Sequence, residues 1–159
     1  MEHAGGRAAH AEFTRLDRAE CLRLLAGVPV GRLIFTVNAL PVVRPVNFAL
    51  VDELIVLRTA AGTTVARKVH DMIVAFEVDE LDAATASGWS VTVTGRAALV
   101  TDPGTLAQYQ AVPLVPWAPG VRDQYVTITT ELVEGQRVNP PAGQSGDEGA
   151  PRPIHSASA

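Results

Sequence analysis

Apolar and polar residues alternate with a period of two through most of the chain. In "GRLIFTV" (31–37), Leu33, Phe35 and Val37 stand against Arg32 and Thr36, the spacing of a strand with one buried face. "PVVRPVNFAL" (41–50) and "ELIVLRTA" (53–60) follow after short Asn/Pro and Asp/Glu breaks, tight enough for antiparallel hairpins. "MIVAFEVDE" (72–80), "GWSVTVTGRAALV" (88–100) and "QYVTITTELVEGQRV" (124–138) continue the pattern. The period changes in three places. A helix starts at Asp17, with Glu20 three residues on as in a capping box and Leu22, Leu25 and Ala26 on one face, and stops at Gly27 and Pro29. A short basic helix fits 63–70, and a third fits 103–111, with Pro103 in the first turn.

Six hairpin-linked strands and a few short helices predict a mainly β fold, a small six-stranded antiparallel barrel rather than a doubly wound sheet. Two stretches, 53–57 and 72–76, are apolar on both faces, so one face fills the barrel and the other needs a cover. A homodimer would supply it. Residues 1–14 and 139–159 are polar, small or proline-rich, and are expected to be disordered. One domain, 15–138, remains.

Composition narrows the function. A net charge of −4 at pH 7 and no basic stripe argue against nucleic acid as a partner. There is no run of about 18 apolar residues that could span a bilayer and no apolar leader. The single cysteine, Cys21, lies on a predicted amphipathic helix and reads as a packed thiol. These features together lead to the expectation of a cytoplasmic protein without a membrane segment. No H-E-x-x-H, paired cysteines, G-x-S-x-G or G-x-G-x-x-G occurs, which leaves metal hydrolysis, esterase chemistry and a Rossmann site without support.

What stands out is "VLRTAAGTTVARKVH". Arg58 ends an apolar strand, and a guanidinium there needs a partner. Gly62 can turn strand into helix, Thr63 or Thr64 can cap that helix, and Thr64 and Lys68, four residues apart, share one stripe. Lys68 is the only lysine in the chain. Arg58, the threonine hydroxyls and Lys68 could converge on one phosphate; alternatively Arg58 pairs with Glu77 or Asp79 and Thr63 merely caps a helix. In the preceding strand Pro41 and Pro45 cannot donate to a ladder, which marks an edge or a gap, and Asn47 offers an amide there.

These segments, with "LDRAECLRLLAGVPVGRLIFTV", "RPVNF", "VAFEVDELDAATASGWSVTVTGRA" and "PWAPG", resemble the pyridoxamine 5′-phosphate oxidase-like family of flavin-binding split-barrel proteins, over roughly residues 16–138. The resemblance implies a homodimer of six-stranded antiparallel split β-barrels with FMN in two interface clefts. It implies that Arg58, Thr59, Thr63 and Thr64 bind the phosphate, and that Pro45, Val46 and Asn47 line the isoalloxazine ring. Trp89 and Trp117 would approach or cover the cleft, or else plug the barrel end and pin a loop. Relatives commonly read "GTK" where this chain reads "GTT", so Thr64 stands in place of a phosphate-binding lysine, and Lys68 could restore the charge from one turn along. The expected activity is FMN-dependent oxidoreduction of a small molecule, with hydride transfer at flavin N5 and no assigned catalytic side chain. A deazaflavin-dependent reductase, a non-catalytic flavin or haem carrier and an empty-cleft structural domain are the alternatives.

Overall fold

The structure, a computed structural model, describes residues 12–114, 117 and 119–140. The chain runs β1 (Glu12–Leu16), α1 (Arg18–Ala26), β2 (Val30–Val37), β3 (Leu40–Val51), β4 (Leu54–Thr59), α2 (Thr64–Lys68), β5 (Ile73–Asp82), β6 (Ser87–Leu99), α3 (Pro103–Gln110), β7 (Gln124–Ile128) and β8 (Leu132–Asn139). Sheet order is β1-β8-β6-β5-β2-β3-β4-β7, and pairing of β6 with β7 closes a ring of six antiparallel strands. The expected six-stranded barrel with three short helices is therefore present, and β8 and β1 extend it beyond β6.

Two elements differ from expectation. The run 124–138 is two strands, because β7 pairs with Ala97–Leu99 of β6 and β8 with Gly88–Thr94 of the same edge. Alternation of side chains cannot reveal such a switch of position. Residues 12–14 and 139, expected to be disordered, belong to β1 and β8, where Glu12 pairs with Asn139, Phe13 with Val138 and Arg15 with Gln136. The rest of 1–14, and the tail beyond Pro140, lie outside the described residues.

The hairpins follow from their turns. Asn38 and Ala39 between β2 and β3, and Asp52 and Glu53 between β3 and β4, all have positive φ, the two-residue turn whose twist matches the flanking strands. Asp17 caps α1 by accepting from Glu20 N–H at 2.8 Å. The Glu20 carboxylate does not return to the cap but binds Arg23 and Arg137, tying α1 to β8, so half the predicted capping box forms.

Leu33, Phe35, Phe48, Ile55, Leu57, Phe76, Val91, Val93, Val126 and Ile128 fill the barrel, with Phe48 and Phe76 edge to face at 4.8 Å. Cys21 and Leu25 of α1, and Val65 and Val69 at α2, join this core. The second apolar face of β4 is not left for a partner. Val56 packs with Tyr125 of β7 and Tyr109 of α3, so α3 covers that side from within the chain. On β5 the outer Ile73 stays half exposed, as do Val43 and Leu132. Among the described residues no helix is long and apolar enough to cross a membrane.

Candidate functional site

β3 and β4 pair from Phe48↔Leu57 to Val51↔Leu54, and before Phe48 the two strands part. One step further in the same register sets Asn47 against Arg58 at the mouth of this fork. The Phe48 side chain enters the core, so by strand alternation Asn47, Pro45 and Arg58 face the outside. From Leu40 to Asn47, β3 has only β2 as a neighbour. Pro41 and Pro45 therefore stand where a missing N–H costs no ladder bond, as the sequence predicted.

Arg58 is half-buried, and the carboxylates proposed as its alternative partners are not bound to it. Glu77 and Asp79 hold Arg32, at 2.6 and 2.9 Å, and their hydrogen bonds push the Arg32 pKa up. Arg58 instead donates from Nε and Nη2 to the Arg122 carbonyl, at 3.1 and 2.6 Å, and from Nη1 to the Leu114 carbonyl at 3.4 Å. Its guanidinium carbon lies 5.3 Å from the centre of the Tyr125 ring, directly across the β4–β7 ladder. Carbonyl dipoles and a ring face orient the guanidinium without neutralising it, and no ion pair to Arg58 exists among the described residues. Of its five N–H donors, two remain for a ligand.

Thr59 faces the other way, into the barrel, and is 4% exposed. Its hydroxyl bonds that of Thr63 at 2.7 Å, and Thr63 caps α2 by accepting from Ala66 N–H at 3.2 Å. The capping reading of Thr63 thus holds. The two hydroxyls carry two protons and spend one between them, so the pair retains a donor. Thr64, the first residue of α2, is half-buried, and Lys68 at its end is exposed, as is Arg67. Gly62 has φ +78° and open space where a side chain would stand, consistent with its role as the turn.

The "PVN" segment does not present one surface. Val46, opposite Gly31, points inward and packs on the core, while Pro45 is exposed. Both ends of the Asn47 amide are engaged: Oδ1 accepts from Trp117 N–H at 2.8 Å and Nδ2 donates to the Pro29 carbonyl at 3.4 Å. The Trp117 side chain is 73% exposed, so it lies beside the fork without being packed there. Trp89 is buried in the main core near the start of β6. It lies opposite Glu80 of β5 and Arg137 of β8.

Tyr125 and the carbonyls of Leu114 and Arg122 were not found from the sequence. Only strand register puts Tyr125 opposite Arg58, and backbone acceptors leave no trace in residue type. Among the described residues no group of three or more His, Cys, Asp or Glu could hold a metal ion.

The family model for pyridoxamine 5′-phosphate oxidase matches residues 17–137. The chain belongs to the pyridoxamine 5′-phosphate oxidase family. A relative, the uncharacterized protein Rv0080 of Mycobacterium tuberculosis, is 43% identical over 132 residues, covering 80% of this chain and 86% of that one. The solved FAD binding protein from Mycobacterium smegmatis is 32% identical, with a TM-score of 0.68, over 79% of this chain and 98% of its own. A Corynebacterium glutamicum protein described as a candidate pyridoxamine 5′-phosphate oxidase is 28% identical, with a TM-score of 0.71 and the same coverage. The family segment begins at Asp17, so β1 lies outside it, and it includes both arms of the fork and α2.

Proposed function

We propose that the protein binds a flavin phosphate at the β3–β4 fork and serves as an FMN-dependent oxidoreductase acting on a small molecule. The observation that carries this reading is Arg58. Its guanidinium is oriented by neutral groups, keeps its full charge and has donors to spare, at the end of a strand followed by the Thr59–Thr63 pair and the cationic end of α2. An anion is what such a group lacks. Arg58 and Lys68 would carry the phosphate, with hydroxyls of Thr63 and Thr64 as further donors and Thr59 fixing Thr63. Pro45, Val46 and Asn47 would support the ring, Val46 from behind by packing and Asn47 through an amide that also holds Trp117 N–H. Bound flavin would supply the hydride transfer at N5, while the chain binds, orients and excludes water.

In the proposed homodimer, with clefts at the interface, Trp89 would approach the cleft from the partner subunit or cover it. The buried thiol and the absence of a candidate spanning helix among the described residues are in keeping with a cytoplasmic setting. A second reading has a specific observation behind it: the 32% identical Mycobacterium smegmatis relative is an FAD binding protein, and a pyrophosphate would use the same cations.

The test is a titration of the purified protein with FMN, FAD and riboflavin, read by flavin fluorescence and visible absorption, with mass spectrometry of any released cofactor. Saturable binding of one flavin per subunit, tighter with a phosphate than without, is expected. No saturable binding of any of the three would overturn the reading. A deazaflavin or haem in the released material would replace it.

A further inference from the structure

We infer that Tyr125 is a positioning residue for the anion site: its ring and the Leu114 and Arg122 carbonyls fix the plane of the Arg58 guanidinium, so that its two remaining donors are held in set directions. This rests on the reading of Arg58 as the phosphate-binding cation.

The argument begins with what a strand-end arginine does alone. Its long side chain samples many rotamers, and ordering it on ligand binding costs affinity. A carboxylate partner would order it but would also neutralise it, leaving little attraction for a phosphate. The fork uses neither solution. Tyr125 is directly opposite Arg58 in the β4–β7 register and is 2% exposed, so its ring is fixed. Val56 and Tyr109, whose ring centre lies 6.2 Å away, pack with it. The ring supports one face of the guanidinium, at 5.3 Å from the guanidinium carbon. The Arg122 carbonyl takes the Nε and Nη2 donors, and the Leu114 carbonyl takes one from Nη1. What remains is one N–H on Nη1 and one on Nη2. A quadrupole and two dipoles hold the plane while the whole positive charge stays available.

The experiment compares affinity for FMN with affinity for riboflavin, which lacks the phosphate, in the full chain. The variants are Arg58→Ala, Tyr125→Phe and a series in which that phenylalanine ring is progressively fluorinated, which drains the ring's negative face at nearly constant shape. FAD replaces FMN throughout if FAD is the tighter flavin. Tyr125→Phe is expected to bind FMN within about threefold of the wild type, because the ring face is kept. Full fluorination is expected to weaken FMN by about threefold to thirtyfold with riboflavin unchanged, a split that general loosening of the core would not produce. If Arg58→Ala removes the preference for FMN over riboflavin but fluorination leaves it intact, the positioning role is overturned and the phosphate reading stands. If Arg58→Ala leaves the preference intact, both fall while flavin binding survives. If the wild type binds no flavin, the proposed function fails and takes this inference with it.

Discussion

Gly95→Ala should be among the most damaging single changes in the barrel, and the reason lies where β6 changes partners. β8 leaves β6 at Thr94↔Leu132 and β7 joins it from Ala97↔Ile128. Between them the backbone of Thr129 presses against Gly95. A Cβ there would overlap the Thr129 carbonyl oxygen and stand 2.7 Å from its carbon and 2.8 Å from its Oγ1. The obstacle is backbone, so no rotamer change relieves it. Thr129 is also bonded on both sides, donating its N–H to the Arg96 carbonyl at 3.1 Å and accepting from Arg96 N–H through Oγ1 at 2.8 Å. Overpacking costs about 1–3 kcal/mol even when side chains can adjust, and each backbone-type bond lost adds about 1 kcal/mol. A cost of about 3 kcal/mol or more follows. For a domain of this size that lowers Tm by roughly 10 °C. The assay is thermal unfolding by calorimetry or circular dichroism, with Gly62→Ala as comparison. Gly62 has φ +78° but nothing within 4 Å, so its substitution carries conformational strain alone, about 1 kcal/mol. If Gly95→Ala melts within about 2 °C of the wild type, or above Gly62→Ala, the close approach at the β7–β8 crossing is not what closes the barrel.

Three further predictions concern the site and the core. Thr64→Lys should tighten FMN by about one to two decades, the worth of a charge-assisted hydrogen bond, with riboflavin unaffected; equal FMN affinity would mean that Lys68 already fills the role or that no phosphate is bound there. Arg58→Ala and Lys68→Ala should each weaken FMN, and the double variant should fall short of their sum if both cations meet the same phosphate; strict additivity would assign them to separate groups. Cys21 is fully buried, and burial, followed by the charges of Asp17 and Glu20, pushes its thiol pKa up. Its contribution to stability is complete below the ordinary thiol range and is lost as pH rises from that range through the raised folded-state value, because the unfolded thiol ionises first. Wild-type Tm should therefore drop more between pH 7 and pH 10 than that of Cys21→Ala, and a thiol reagent should label the native protein only as fast as it opens; immediate labelling would contradict the packing.

The barrel was legible because period-two alternation and turn chemistry agree at the β2–β3 and β3–β4 hairpins. Leu33, Phe35, Phe48 and Val91 face inward as their spacing requires, and the Asn38–Ala39 and Asp52–Glu53 turns sit where the breaks were read. β1 was missed because "EFTRL" is exposed over four of its five residues, so its pairing with β8 rests on backbone bonds that alternation does not encode. The cover for β4 was misassigned for a related reason. Val56 looks partnerless in sequence, and the α3 residues that meet it are some fifty positions away. At the site, residue types were readable and directions were not. "RT" suggested two ligands for one phosphate, but adjacent strand residues face opposite sides, so Arg58 goes to the fork and Thr59 into the core. Trp89 was read as a cofactor contact or a plug of the barrel end, and it is buried in the core of its own chain.

That division of labour bears on how the site can work. The Thr59–Thr63 bond and the cap on Ala66 fix where α2 begins, while the Tyr125 ring and two carbonyls fix where Arg58 points. Both devices use neutral groups. Neither consumes the charge of Arg58, Arg67 or Lys68, and the acids that could have done so, Glu77 and Asp79, are occupied by Arg32 on another part of the sheet. A protein of net charge −4 that sets its carboxylates elsewhere and orients its strand-end arginine with dipoles has the electrostatics of a local anion receptor within an acidic molecule. Replacing the expected lysine with Thr64 lowers that local charge by one without altering the frame that holds it. On the proposed reading, cofactor affinity in this chain would be set by the cations around the scaffold, and could change while the fold stays the same.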